Sequence, residues 1–292
     1  MNTKDALLIA AVVGIWGINF FFMKTALADV SPMVLGLLRF LLVIFPAVLF
    51  IRPPKVAWYW LALYGLTISF GQFGLMFTAL KLGMPTGLGA LLVQLQVFLT
   101  VLVAGVMMGE PVLRHHLLGM FAAAVGLVLI GIGQYRGSMP FVALLAVVGA
   151  AASWAVGNIV VKYIGQVNPL SLVVWGSWSA LVAFTAVSLM MYGADGLVSY
   201  TLSLSGWGIA SILFLAYVSS LVGYTAWGDL LSRHPAGKIT PFALCVPVIA
   251  LLVGYIFLGE RLGAWHWAGI VVVMAGLLIH VFGSKWLGRL NK

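Results

Sequence analysis

Acidic side chains are scarce in this chain. Six Asp and Glu stand against 15 Lys and Arg in 292 residues, and charged residues of both signs reach only 7%, where a soluble domain carries about 25%. With 63% hydrophobic residues and a mean hydropathy of +1.16, the polar surface is too small to cover a water-soluble core. The composition is that of an integral membrane protein. Cysteine is nearly absent: Cys245 stands alone inside an apolar run, which excludes a disulfide framework and a cysteine metal site. His115, His116, His234, His266 and His280 are scattered, mostly toward the ends of apolar runs, and none has the i, i+4 spacing of a metal pair. They read as loop or interface residues, and no metal is expected. No catalytic constellation and no phosphate-cradling P-loop occurs, so no catalytic residue and no cofactor is expected. The basic excess forms no stripe that phosphates could track, which excludes nucleic acid. Continuous rather than alternating apolar runs exclude a β-barrel.

What is present is a series of runs near the roughly 20 residues a membrane-spanning helix needs. Ten are predicted, at about 6–26, 32–51, 57–80, 85–108, 114–133, 140–162, 169–192, 206–231, 236–258 and 265–284. The first is too long for a signal peptide and lacks a small-residue cleavage site, so it reads as a retained helix. Short breaks carry turn or helix-start chemistry, such as Ser31-Pro32, Gly83-Met84-Pro85, Gly109-Glu110-Pro111, Arg136-Gly137, Asn168-Pro169 and Gly259-Glu260. The longest link is expected around Gly193 to Ser205. With both ends cytoplasmic, Lys4, Arg52, Lys55, Arg114, Lys162, Arg233, Lys238, Lys285, Arg289 and Lys292 fall inside, and Lys24, Lys81, Arg136 and Arg261 outside. That bias favours cytoplasmic termini.

The chain repeats itself. Shifted by 150 positions, Pro85 to Gly133 lands on Pro235 to Gly283 without a gap, pairing Pro85 with Pro235, Gly109-Glu110 with Gly259-Glu260, and Gly119, Gly126 and Gly133 with Gly269, Gly276 and Gly283. At an offset of 138, Trp16 and Lys24 match Trp154 and Lys162, with Asn19 and Asn158 one residue out of register. Residues 1–136 and 137–292 thus read as two five-helix copies within one transmembrane unit. Five is odd, so the copies enter the membrane from opposite sides, an inverted repeat around a central cavity. The glycines seven apart put small residues on one helix face. The fifth and tenth helices therefore pack together, within the chain or at a dimer contact, which leaves monomer and homodimer both open.

Polar groups at membrane depth carry the functional reading, because hydrocarbon offers them no partner. Asn19 and Asn158 either bond a polar substrate or act as interhelical glue. Gln94 and Gln96 lie about 200° apart around a helix, so one is expected to line the pathway while the other bonds a neighbouring helix. Pro241 and Pro247 break the ninth run and free carbonyls. Arg39 is either the partner of a substrate carboxylate or a structural group bonding carbonyls. Glu110 and Glu260 read as connectors, and Asp229 lies near a run's end. Trp16, Phe20, Phe73, Phe77, Trp154, Trp175, Tyr224 and Trp227 are the aromatics that could wall an amphipathic cavity beside Asn19, Gln94 and Asn158. A membrane enzyme would want clustered His, Asp or Glu, and an exporter of toxic cations a carboxylate at depth.

Trp16-Gly17-x-Asn19-Phe20, Leu38-Arg39-Phe40, Gln94-x-Gln96, Gly109-Glu110, Ser153-Trp154-Ala155-x-Gly157-Asn158, Val222-Gly223-Tyr224-x-x-Trp227-Gly228 and Gly259-Glu260-Arg261 resemble the EamA family of the drug/metabolite transporter superfamily. The likeness covers essentially the whole chain. It implies ten helices as two inverted five-helix repeats, a multi-pass protein of the bacterial inner membrane with cytoplasmic termini, and alternating-access export of amino acids or related metabolites. Neutral or aromatic amino acids are the substrates it suggests first, with the lipid bilayer as surroundings. The alternative it leaves open is export of toxic cations or drugs.

Overall fold

The structure, a computed structural model, describes residues 3–84, 86–110, 112–134, 140–257 and 263–290. Pro85, Pro111, Arg136, Gly137, Gly259, Glu260, Arg261 and Lys292, which belong to the motifs and charge balance above, lie outside the described residues. Among the described residues the chain is all α-helical. The helices are Thr3–Asp29 (α1), Pro32–Leu49 (α2), Trp58–Lys81 (α3), Thr86–Met108 (α4), Arg114–Gln134 (α5), Phe141–Ile164 (α6), Pro169–Leu202 (α7), Gly206–Arg233 (α8), Ala236–Phe257 (α9) and Ala264–Leu290 (α10). Nine of these, α1 to α9, are long and apolar enough to cross a membrane, and α10 carries the shorter apolar stretch Ala264–His280. The chain is a multi-pass membrane protein.

The helix starts follow their sequence signals. Ser31 Oγ accepts from the Val34 N–H with Pro32 next in line, and Asn168 Oδ1 accepts from the Ser171 N–H with Pro169 next. A side-chain acceptor satisfies one free N–H, and proline has none to leave unpaired. The expected link after residue 192 is corrected: only Gly193 leaves the helix, at φ 67°, and α7 continues to Leu202. Glycine adopts that conformation without steric cost. Leu197 and Tyr200 beyond it pack on the core, Tyr200 with its ring 5.4 Å from Tyr192, so the segment keeps apolar contacts a loose link would forgo.

Four helices are irregular at mid-length, in matching places. α3 widens into π-helical turns at Gly65–Gly71 and α8 at Phe214–Tyr224. α4 breaks between Leu92 and Leu95, and α9 passes through a 3₁₀ stretch at Thr240–Cys245. The 150-position offset carries each irregular stretch of the first half into its counterpart in the second. Packing between the halves shows the same exchange. α3 lies on α6 and α7, and α8 on α1 and α2; α4 lies on α6, and α9 on α1. α5 and α10 cross antiparallel within the chain. A Cβ on Gly119 would stand 2.6 Å from the Gly276 carbonyl oxygen, and one on Gly126 2.8 Å from that of Gly269. Only glycine allows so close a backbone approach, which accounts for the repeated spacing.

Candidate functional site

The irregular stretches of α4 and α8 reach one cavity, and those of α3 and α9 end just beside it. A cavity of about 30 Å³ lies between α1, α3, α4, α6, α8 and α9, walled by Trp16, Asn19, Phe20, Met23, Gln72, Phe73, Met76, Val93, Gln94, Trp154, Ser219, Tyr224 and Val246. Trp16 is the hub of its aromatic side. Its ring lies 5.2 Å from Trp154, 4.9 Å from Tyr224 and 5.1 Å from Trp227. Its Nε1 donates to the Ser219 carbonyl inside the wide turn of α8 (3.4 Å). Gln72 donates to the Tyr224 hydroxyl at 2.9 Å.

Four buried polar atoms of residues on this wall have no hydrogen-bond partner among the described residues: Asn19 Oδ1, Gln94 Oε1, Gln94 Nε2 and Trp154 Nε1. A buried polar atom left unpaired costs about 1–3 kcal/mol. Two acceptors and two donors thus face a space that the protein leaves uncommitted, the arrangement of a site for a small polar molecule.

A second polar cluster lies beside the first and contrasts with it. Asn158 Nδ2 donates to Gln96 Oε1 at 3.0 Å and to Thr100 Oγ1 at 3.2 Å, and Trp227 Nε1 donates to Asn158 Oδ1 at 3.1 Å. This network ties α4, α6 and α8 together, and of its atoms only Gln96 Nε2 lacks a partner. The two glutamines therefore divide: Gln94 faces the cavity and Gln96 holds a neighbouring helix.

Arg39 is fully buried in α2. Its Nε donates to Ser220 Oγ at 2.9 Å and one terminal nitrogen to Ser219 Oγ at 3.3 Å, while the guanidinium carbon lies 3.8 Å from the centre of the Phe73 ring. The other terminal nitrogen, Nη1, has no partner, and among the described residues no carboxylate pairs with this side chain.

Charged pairs join the helices at the end of the molecule where α1 starts; at the other end Asp29 ties α1 to α8 by accepting from Ser205 ahead of that helix. Gly109 ends α4 in the left-handed conformation, φ 65°, a helix stop that glycine tolerates. Next to it, Glu110 pairs with Lys162 of α6 and accepts from the Ala236 N–H at the start of α9 (2.8 Å). Lys162 also donates to the carbonyls of Leu231 and His234. Asp5 of α1 pairs with Arg233 at 3.1 Å and lies 3.0 Å from His234 Nε2. At the opposite end Lys24, the counterpart of Lys162, is exposed.

Of the residues expected at the site, Trp16, Asn19, Phe20, Phe73, Gln94, Trp154 and Tyr224 line the cavity. Four do not. Asn158 and Trp227 belong to the second cluster, and Phe77 lies fully buried behind Phe73, ring centres 5.6 Å apart. Trp175 bonds the Ile51 carbonyl near the end of α2 (2.9 Å). Gln72, Ser219 and Ser220 went unremarked, though as polar residues inside apolar runs they carry the same signal as Asn19. The expectation of scattered histidines is corrected for three of them. His115, His116 and His280 gather where α5 and α10 cross, with ring centres 4.3 and 4.5 Å apart, because antiparallel pairing brings together positions far apart in the chain. Among the described residues no group of His, Cys, Asp and Glu is arranged to hold a metal.

Known proteins resemble this chain over nearly its whole length. The profile of the EamA-like transporter family matches residues 3–132 and again 141–282. A Salmonella typhimurium protein named "Probable amino-acid metabolite efflux pump" is 42% identical over 98% of this chain and 97% of its own. An Escherichia coli protein of the same name is 39% identical over the same shares. A "Probable terminal-alkyne amino-acid exporter" of Streptantibioticus cattleyicolor is 26% identical over 70% of this chain and 66% of its own. A solved crystal structure superposes with a TM-score of 0.77 at 18% identity, covering 98% of this chain and 99% of that one; at that identity the likeness speaks for the fold alone.

Proposed function

Because the chain belongs to the EamA-like transporter family, we propose that it exports amino acids or related metabolites across the bacterial inner membrane by alternating access, its termini in the cytoplasm. The observation that carries this reading is the central cavity, with two acceptors and two donors unpartnered on an aromatic wall. A zwitterionic head group uses both kinds: acceptors for its ammonium, donors for its carboxylate. The rings beside them suit an apolar or aromatic side chain. The names of the efflux-pump relatives favour the same substrates.

The ten helices form two inverted repeats in this reading, halves 1–136 and 137–292. The twofold family match, the reciprocal packing of α3, α4, α8 and α9, and the glycine contacts that exchange under the 150-position offset support it. So does the pairing of irregular turns, since bent or widened helices at depth are the parts of a carrier that line its site. About 30 Å³ is little more than the room one water occupies. Substrate entry therefore requires the halves to move apart. In this reading the Glu110–Lys162 and Asp5–Arg233 pairs hold the cytoplasmic end together.

Purified protein in proteoliposomes tests the proposal. Flux of labelled amino acids, neutral and aromatic ones first, should exceed that of empty vesicles. No excess for any amino acid or amino-acid metabolite would overturn it. Efflux of a lipophilic cation in its place would favour a drug exporter.

A further inference from the structure

We propose that Arg39 supplies the fixed positive charge by which the cavity selects substrates bearing a carboxylate, and that the substrate provides the counter-ion that the protein withholds. The proposal rests on the export reading and names what that site recognises.

A charged side chain at membrane depth is costly and is ordinarily paired with an opposite charge. Arg39 is instead held by neutral groups, the hydroxyls of Ser219 and Ser220 and the face of the Phe73 ring. These fix the guanidinium in place and leave its charge uncancelled. A purely architectural arginine gains most from a carboxylate, and none is offered among the described residues. Nη1 remains a buried donor without an acceptor.

Position ties this charge to the cavity. Ser219 and Phe73 touch Arg39 on one side and line the cavity on the other. Among the described residues none that lines the cavity is charged, so none of them opposes the field of Arg39 there, and low surrounding polarity strengthens it. The wall is polarised as a result. Asn19 Oδ1 and Gln94 Oε1 offer acceptors for an ammonium group, while Arg39 marks the side toward α2 and α8 for a carboxylate. A guanidinium, planar and always protonated, is suited to a two-pronged bond with a carboxylate once the halves separate and Nη1 becomes reachable. A cation without a carboxylate meets the same field as a repulsion.

The experiment is competition in proteoliposomes. Flux of a labelled amino acid is measured against three unlabelled competitors: the same amino acid, its carboxamide and the amine lacking the carboxyl group. Wild-type protein should favour the amino acid over the carboxamide by about tenfold or more, the size expected when one buried donor is left unpaired by the analogue. In Arg39→Gln the ratio should fall to within about twofold of unity, because the charge that distinguishes the two is gone. Arg39→Lys keeps the charge without the fork and should restore part of the ratio. An Arg39→Gln protein that moves substrate with an unchanged ratio overturns the proposal and leaves the export reading standing. If Arg39→Gln fails to fold, Arg39→Lys decides: a ratio near unity with intact flux overturns it, and a retained preference supports it. A wild-type protein that moves no amino acid overturns both.

Discussion

Two polar clusters of similar composition lie side by side in the middle of this molecule. Around Asn158 the amide, hydroxyl and indole groups bond one another and join three helices. On the cavity wall Asn19 Oδ1, both amide atoms of Gln94 and Trp154 Nε1 bond nothing among the described residues. Residue type does not separate the two sets, since each draws on an asparagine, a glutamine and a tryptophan N–H. What separates them is whether a neighbouring helix supplies the complement. A saturated cluster joins helices; one with open valences keeps bonding capacity to spare, which the export proposal assigns to substrate.

The sharpest way to break this comparison is Asn158→Leu. It strands Gln96, Thr100 and Trp227 together, and at roughly 0.6 kcal/mol per membrane hydrogen bond the loss is about 2 kcal/mol. Thermal unfolding in detergent should show a clear fall in midpoint, and flux should fall with it. A midpoint unchanged from wild type would mean that the cluster is not scaffold. Gln94→Leu should do the reverse. Two unpaired polar atoms disappear, stability holds or rises, and flux drops about tenfold, the worth of two neutral hydrogen bonds to substrate. Unaltered flux would remove Gln94 from the site. Trp154→Phe deletes one donor and keeps most of the ring, so about a threefold loss is expected with stability held. The smallest effect belongs to Glu110→Gln, which weakens a partly solvated ion pair by about twofold to fivefold in equilibrium. A cysteine placed at Ser219 should then react faster with a membrane-impermeant thiol reagent from the cytoplasmic side.

Much of this was legible in the chain. Run lengths and break residues located the helices to within a few positions, except at the ends of α7 and α10, which run past the expected 192 and 284 to Leu202 and Leu290, and helical geometry alone set Gln94 apart from Gln96. The prolines announced the irregular stretch of α9. Nothing announced its counterpart in α4, because Thr86–Met108 contains no proline and that break is imposed by packing rather than by local chemistry. The ion-paired cluster where α1 starts was hidden for a related reason. Glu110, Lys162 and Ala236 lie far apart in sequence and meet only after α4, α6 and α9 have packed. Nor could the chain tell Asn19 from Asn158, since saturation depends on what stands opposite, and that is a tertiary fact. The duplication shows where the halves agree; their disagreement at Gln94 and its counterpart Leu244 falls on the cavity wall.

The wide turns of α3 and α8 bear on which changes of length the chain can absorb. Removing one residue from an ordinary helix rotates everything beyond it by about 100°, enough to turn a cavity face toward lipid. A π-helical turn already holds a surplus residue. Deleting one residue within Gly65–Gly71 or Phe214–Tyr224 returns the turn to ordinary α pitch and leaves both flanks in phase. A residue can therefore be lost inside these two membrane spans while the same side chains still face the centre.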